Sequence, residues 1–242
     1  MRLYRELAPW FHLLTHPDEY ADEAAHIVRV AEVACARSPQ TLLELGAGGG
    51  NNASHLKHRF ASTLTDISAE MLAVSAALNP ECEHLQGDMR SLRLGRLFDV
   101  VLAHDAIGYM TTRDDLRAAI ATAAAHVRPG GIAMFCADDI AETFAAGTEH
   151  GGHDAADGRS LRYLMWTHDR APHETVYRED FAIVLREPGR PTRVEHDHHV
   201  FGLFDRATWL GLIAECGLTS IDLDIEDPHA DEHVVFLARR PR

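Results

Sequence analysis

Apolar side chains over the first forty residues recur every three to four positions, and after residue 41 the repeat changes character. Leu3, Leu7, Trp10, Phe11 and Leu14 fall at helical spacing, interrupted by Pro9. A second helix is predicted from Pro17, where proline suits a first turn and Asp18 and Glu19 meet the positive end of the helix dipole. Its inner face is Ala24, Ile27, Val28, Ala31 and Cys35, and Ser38-Pro39 stops it. Short apolar strands over 41–45, 62–66, 82–86, 98–103 and 132–136 then alternate with helices over 52–59, 68–78 and 112–127. Three strand-like runs over 162–170, 175–186 and 192–204 break the alternation, the last two separated by the turn Pro188-Gly189-Arg190-Pro191. A helix over 205–216 and strands over 220–225 and 232–238 finish the main sheet. The predicted fold class is α/β: a Rossmann-like, seven-stranded, mostly parallel sheet with helices on both faces, an N-terminal helical lid and an antiparallel β insertion. The expected organisation is a lid over 1–40, a core over 41–156 and 205–242, and an insertion over 157–204 that caps the site or makes a dimer contact.

Composition narrows the partners. With 23 Lys and Arg against 37 Asp and Glu, the 242-residue chain carries a formal charge of −14, which repels phosphate backbones and anionic membranes. Neither a nucleic acid nor a membrane is an expected partner, and no apolar run approaches the ~18 residues a bilayer span needs. The first residues carry charges where a signal peptide needs its apolar stretch. Cys35, Cys82, Cys136 and Cys216 are far apart, without metal-like pairing, and read as reduced thiols of a cytoplasmic protein, monomer or homodimer, that acts on a small molecule.

The chemistry begins at Leu43-Glu44-Leu45-Gly46-Ala47-Gly48-Gly49-Gly50-Asn51, a strand-to-helix turn in which glycine lets backbone approach a ligand. A nicotinamide-binding turn wants G-x-G-x-x-G, and Asn51 occupies the third glycine position, so the motif is E-x-G-x-G-x-G instead. Asp66 ends the next strand, placed to accept from a ribose diol, and Gly87-Asp88-Met89 follows the third. All three lie beyond the carboxyl ends of parallel strands and meet in one crevice.

The segments LELGAGGG, TLTDIS, QGDM, DVVLAHDAIGYM and HVRPGG resemble class I S-adenosylmethionine-dependent methyltransferases. EYADEA, GDMRSLRLGRLFD, IGYM and LFDRATWLGLIAECGL extend the likeness to N-methyltransferases of nucleotide-linked amino sugars, over most of the chain. The resemblance implies S-adenosyl-L-methionine as cofactor and S-adenosyl-L-homocysteine as product. It assigns Gly46, Ala47, Gly48 and Gly50 to the loop under the methionine moiety, and Glu44 to shaping that loop or holding the cofactor's ammonium. Asp66 would bind the ribose, Ile67 and Met71 flank the adenine, and Asp88, with Gly87 and Met89, would read it. Ala103 and His104 would pass closest to the methionine, and Tyr20 would close over its carboxylate or simply pack.

The chain departs from those relatives where the acceptor binds. His104-Asp105 stands where they carry small polar and aromatic residues, and Ala137-Asp138-Asp139 stands where they carry E-P-W-W. Acids in place of aromatics suit an amine-bearing acceptor; the alternative is that Asp138 and Asp139 cap a short helix from Ile140. His104 and Asp105 are the expected catalytic pair, histidine as general base and aspartate orienting it or pairing with the acceptor. Asp138, Trp166, His198 and His199 are candidate acceptor contacts. In Glu195-His196-Asp197-His198-His199, strand alternation puts His196 and His198 on one face and the other three on the opposite face, so no metal site is expected there. Open alternatives are a small-molecule O-methyltransferase, a nicotinamide-dependent oxidoreductase, and a cofactor-sensing binding protein.

Overall fold

Strand β4 (Phe98–His104) is buried at every position but its last, the pattern of a strand covered on both faces of a parallel sheet. It lies beside β1 (Thr41–Leu45), whose other neighbour is β2 (Ala61–Asp66), and both pairings are parallel. β3 (Glu83–Gln86) extends that side, while β5 (Val127–Ala137) runs parallel to β4 on the other. Antiparallel β11 (Val234–Arg239) and the two-residue β10 (Thr219–Ser220) complete a seven-stranded sheet of order β10-β11-β5-β4-β1-β2-β3. The order reverses between β1 and β4, where an open α/β sheet leaves its ligand crevice. This computed structural model describes residues 1–171, 173–223, 225 and 233–242. No helix among them is long and apolar enough to cross a membrane.

Alternation along the strands fills two helical layers. Leu43, Leu45, Val101 and Ala103 pack with α5 (Arg113–His126) and α6 (Arg206–Glu215). Leu42, Val100, Leu102 and Met134 pack with α2 (Ala21–Ala34) on the opposite face. Two shorter helices, α3 (Asn51–Leu56) and α4 (Ala69–Leu78), follow β1 and β2. The antiparallel sheet holds β6 (Gly147–Gly151), β7 (Ser160–Thr167), β8 (Val176–Arg186) and β9 (Arg193–Gly202) in sequential order.

Three differences from the sequence reading have plain causes. The predicted helix over 3–14 shrinks to a 3-10 turn, Ala8–Trp10, and the single turn α1 (Phe11–Leu14). Pro9 sits inside the 3-10 turn, and the apolar positions Leu3, Leu7, Trp10 and Leu13 bury against Leu161, Phe181, Ile183 and Leu185 of the antiparallel sheet. That sheet begins at Gly147, earlier than expected, because β6 is a polar strand with no apolar alternation to announce it. The strand expected over 220–225 is only Thr219–Ser220; the polar loop residues Asp227, Pro228, His229 and Asp231 that precede the last predicted strand, and Glu232 that opens it, lie outside the described residues.

Asp99, inside β4, is 1% exposed and joins the start of β1 to the start of β5. It accepts from the Gln40 and Thr41 backbone N–H groups (2.9 and 3.0 Å) and from Thr41 Oγ1 (2.9 Å), with Arg37 and Arg128 each 3.2 Å from Oδ1. Burial alone would raise its pKa, but these donors overcome burial and hold it below the usual aspartate value. Asp99→Asn is expected to cost about 2–3 kcal/mol at neutral pH, measured by chemical denaturation, since charge-assisted bonds to a buried group are lost. Because the folded pKa is depressed, that stabilisation is present above the ordinary aspartate value and fades as pH falls through the folded value. The gap between the two proteins should therefore narrow in acid.

Candidate active site

A cavity of about 790 Å³ opens at the carboxyl ends of β1, β2 and β4 and is roofed by the N-terminal segment and the antiparallel sheet. The β1–α3 turn forms one wall. Gly46 N and Ala47 N donate to Thr65 O at 2.8 and 2.9 Å, pinning the turn to β2. A Cβ on Gly46 would stand 2.4 Å from Ala106 Cβ and 2.9 Å from Met89 Cε, and its φ of +79° is a left-handed conformation, so only glycine fits. Asp66 accepts from Gly48 N (2.9 Å) and Ser68 N (2.8 Å); burial pushes its carboxyl up against these donors, and it lines the cavity.

The deep end of the wall is rich in acceptors without partners. Glu44 Oε2, Asn51 Oδ1 and Asn52 Oδ1 are buried and have no hydrogen-bond partner among the described residues, and all three residues line the cavity. Burial pushes the Glu44 carboxyl up to about 8. Tyr20 stands here too, its hydroxyl accepting from Thr15 Oγ1 at 3.0 Å, with burial pushing it up to about 12. At the opposite end, Ile67, Gly87, Asp88 and Met89 line the cavity, and Arg90 forks onto Asp88 at 2.6 to 3.0 Å, holding that carboxylate low.

The other half of the cavity is acidic and aromatic. The chain turns sharply at Asp105, the one described non-glycine residue with positive φ (+44°), a strained backbone held by Asp105 N to Cys136 O at 3.0 Å. That turn sends Asp105 beside Asp138, and the two carboxyls share a hydrogen bond. His104 is clamped: Nδ1 meets Asp105 Oδ1 at 2.8 Å, and Nε2 bonds Glu23 of α2. Both carboxylates hold the imidazolium and raise its pKa well above the usual value, overcoming burial, which works the other way. Glu179 of β8 adds a third acid to this half of the lining, with Thr167 Oγ1 donating to it at 3.1 Å, and burial pushes it up to about 7. His199, Phe181 and Phe201 complete this wall, with Tyr4 and Tyr109 joined at 2.7 Å and Tyr109 bonded to His199 Nδ1 at 2.8 Å.

The structure thus gathers Tyr20, Glu44, Gly46, Ala47, Gly48, Asp66, Ile67, Gly87, Asp88, Met89, His104, Asp105, Asp138 and His199 around one cavity. Five other candidates are not among its lining residues. Gly50 faces α4, where a Cβ would stand 2.3 Å from both Ser75 Oγ and Asn79 Nδ2, so it closes the turn onto the helix. Met71 is buried beneath the turn and Ala103 within β4. Trp166 and His198 point away altogether: Trp166 is 57% exposed and stacked on His168, and His198 pairs with Asp180 on the outer face. Even-numbered positions of β7 and β9 face outward, while Phe201 and His199, on the inner parity, are buried. Sequence reading missed Glu179, Glu23 and Tyr109. The inner parity of β8 singles out Glu179 only once the sheet's orientation over the cavity is known.

A crevice at the reversal of a parallel sheet, a glycine turn and an acid ending β2 together define a nucleoside-cofactor enzyme of the α/β class. The methyltransferase domain family matches residues 42–131. The chain is 31% identical over 204 residues to the dTDP-3-amino-3,4,6-trideoxy-alpha-D-glucopyranose N,N-dimethyltransferase of Streptomyces venezuelae, covering 83% of this chain and 84% of the relative. It is 27% identical over 210 residues to the dTDP-3-amino-3,6-dideoxy-alpha-D-glucopyranose N,N-dimethyltransferase of Streptomyces fradiae, covering 85% and 81%. The crystal structure of Streptomyces venezuelae DesVI superposes with a TM-score of 0.82 at 25% identity, over 98% of both chains. The chain belongs to the S-adenosylmethionine-dependent methyltransferases, in the aminosugar N-methyltransferase branch.

The residues present fit that cofactor. Three unbonded acceptors at the deep end, one of them a carboxyl, match the ammonium of a methionine moiety, and Asp66 keeps lone pairs for a ribose diol. Asp66→Ala is expected to weaken S-adenosylmethionine by on the order of 1.5–3 kcal/mol per lost charge-assisted bond at most. Calorimetry checks it; unchanged affinity would remove Asp66 from the ribose. Trp166→Ala and His198→Ala, by contrast, should leave cofactor affinity unchanged.

Proposed function

We propose that the acceptor is the amine nitrogen of an amino sugar carried on a nucleoside diphosphate. Asp105 holds the amine and Glu179 takes its proton. The observation that carries this reading is the carboxyl pair Asp105–Asp138 on the acceptor side of the cavity. Burial raises both acids, but the His104 charge overcomes it at Asp105, whereas the adjacent Asp105 charge adds to it at Asp138. One ionised and one protonated carboxyl make a subsite for a single cation. The same acids repel a developing oxyanion, which disfavours O-methylation.

Magnitudes separate the roles. Moving a proton from an ammonium to a carboxylate costs about 1.4 kcal/mol for each unit by which their pKa values differ. Asp105, held low, therefore anchors the amine and does not abstract its proton. His104 has both ring nitrogens engaged by carboxylates and is a positioning residue for Asp105, which revises its expected role as the base. Glu179, pushed up to about 7 in the same cavity, is matched to the task. S-adenosylmethionine, when bound, supplies an activated methyl carbon, so the protein has mainly to align the amine in line with it and keep water out. Arg5, at the cavity lining and without an ion-pair partner among the described residues, supports a place for the diphosphate. The named substrates of the relatives from Streptomyces venezuelae and Streptomyces fradiae support the same class.

Glu179→Gln is expected to lower kcat by about 10²–10⁴. Since the base must be deprotonated, the wild-type rate should rise with pH through about 7, and the variant should lose that limb. Asp105→Asn should raise KM for the amine. Mass spectrometry of a dTDP-amino sugar and its hydroxyl counterpart incubated with the enzyme tests the reading: methyl addition to the hydroxyl compound alone would overturn it. The outer face of the antiparallel sheet exposes Leu164, Trp166, Val194 and Val200, which supports a homodimer closed through that face. Light scattering should then show Trp166→Glu as a monomer.

A further inference from the structure

We infer that Glu23, His104 and His233 form a binding site for one divalent cation of the zinc class, behind the acceptor pocket. One ligand atom from each lies within 4.8 Å of the other two. His104 Nε2 is in direct contact with Glu23 Oε1, and His233 Nδ1 is 3.9 Å from the same oxygen. The two imidazole planes cross at 75°, with centroids 5.8 Å apart, so the rings do not stack on one another. Zinc–ligand bonds of about 2.0–2.1 Å put tetrahedral neighbours roughly 3.3 Å apart. His233 has to close on Glu23 slightly and His104 to open slightly, both by small side-chain rotations. Two imidazoles and a carboxylate are a donor set zinc takes with a fourth position left to water.

The surroundings carry the argument further than three nearby ligands would. Asp105 Oδ1 sits 2.8 Å from His104 Nδ1, which places the imidazole proton there and presents Nε2 as the ligand atom. Asn52 Nδ2 donates to Glu23 Oε2 at 3.4 Å, leaving Oε1 facing the two rings. These are the outer contacts that orient ligands in metalloproteins. All three side chains are nearly buried, at 8 to 11% exposure. Another histidine–carboxylate group, His168–Asp180–His198, is exposed, and its two rings bond opposite oxygens of the aspartate. A cation at the buried site takes the place of the proton between His104 and Glu23. It fastens α2 to the ends of β4 and β11 and leaves the His104–Asp105 contact intact.

The test uses the full chain without a histidine tag, stripped with chelator and titrated with Zn²⁺ by calorimetry and with Co²⁺ by visible absorption. The expected result is one equivalent per chain, with Co²⁺ bands of a four-coordinate site. His233→Ala and Glu23→Gln should each weaken binding at least ~100-fold, and Asp105→Asn about 10-fold, through loss of the orienting contact. His233→Cys should restore binding and add a thiolate charge-transfer band, a signature that no structural effect of the substitution produces. Replacing His168 and His198 with alanine should change nothing. The inference falls if no stoichiometric binding occurs. It also falls if binding survives both His233→Ala and Glu23→Gln, or follows the outer-face histidines. None of these readouts depends on the acceptor.

Discussion

The clamp on His104 is the contact from which the acidic half of the cavity takes its form. Glu23 grips one ring nitrogen from α2 and Asp105 grips the other from the turn that ends β4. The imidazole sits between a helix packed on the sheet and a backbone in a left-handed conformation that an aspartate adopts only under constraint. Releasing either carboxylate would leave a buried charge without its partner, which costs far more than an exposed pair returns. The clamp fixes where Asp105 points and which of the paired carboxyls, Asp105 or Asp138, is ionised.

The two halves of the cavity obey one electrostatic logic. Glu44 and Asp66 line one side, Asp105, Asp138 and Glu179 line the other, and both sides are set to attract positive charge. Burial makes each acid reluctant to ionise alone, so a positive charge placed among them would be matched by acids already desolvated in folding. The net charge of −14 extends this preference outward, favouring cationic over anionic encounter except near Arg5.

The antiparallel sheet takes part through its inner parity alone. Tyr109 and Tyr4 bond in series to His199, Asp197 accepts from the Leu3 backbone N–H at 2.7 Å, and the N-terminal apolar residues bury against the same strands. The N-terminal segment and the antiparallel sheet are thereby one packed unit. The apolar spacing of the N-terminal segment is legible as amphipathic, but its partner is not, so a few turns packed on a sheet read as a longer helix.

The sequence by itself determined the sheet, the cofactor turn and the acids that end its strands. These are local: a strand's burial is written in consecutive residues, and Gly46, Asp66 and Asp88 sit at fixed steps from strand ends. It also determined the parity of β9, because alternation has a period of two. Tertiary structure alone decided which parity faces the cavity, and so excluded Trp166 and His198 and admitted Glu179. It alone decided the distant partners of His104, since Glu23 and His233 come from the two ends of the chain and meet there through the packing of α2 and β11 on the sheet. A side chain's chemistry depends on what stands within a few ångströms of it, and for those residues the neighbours are set by how the layers close, not by the order of the chain.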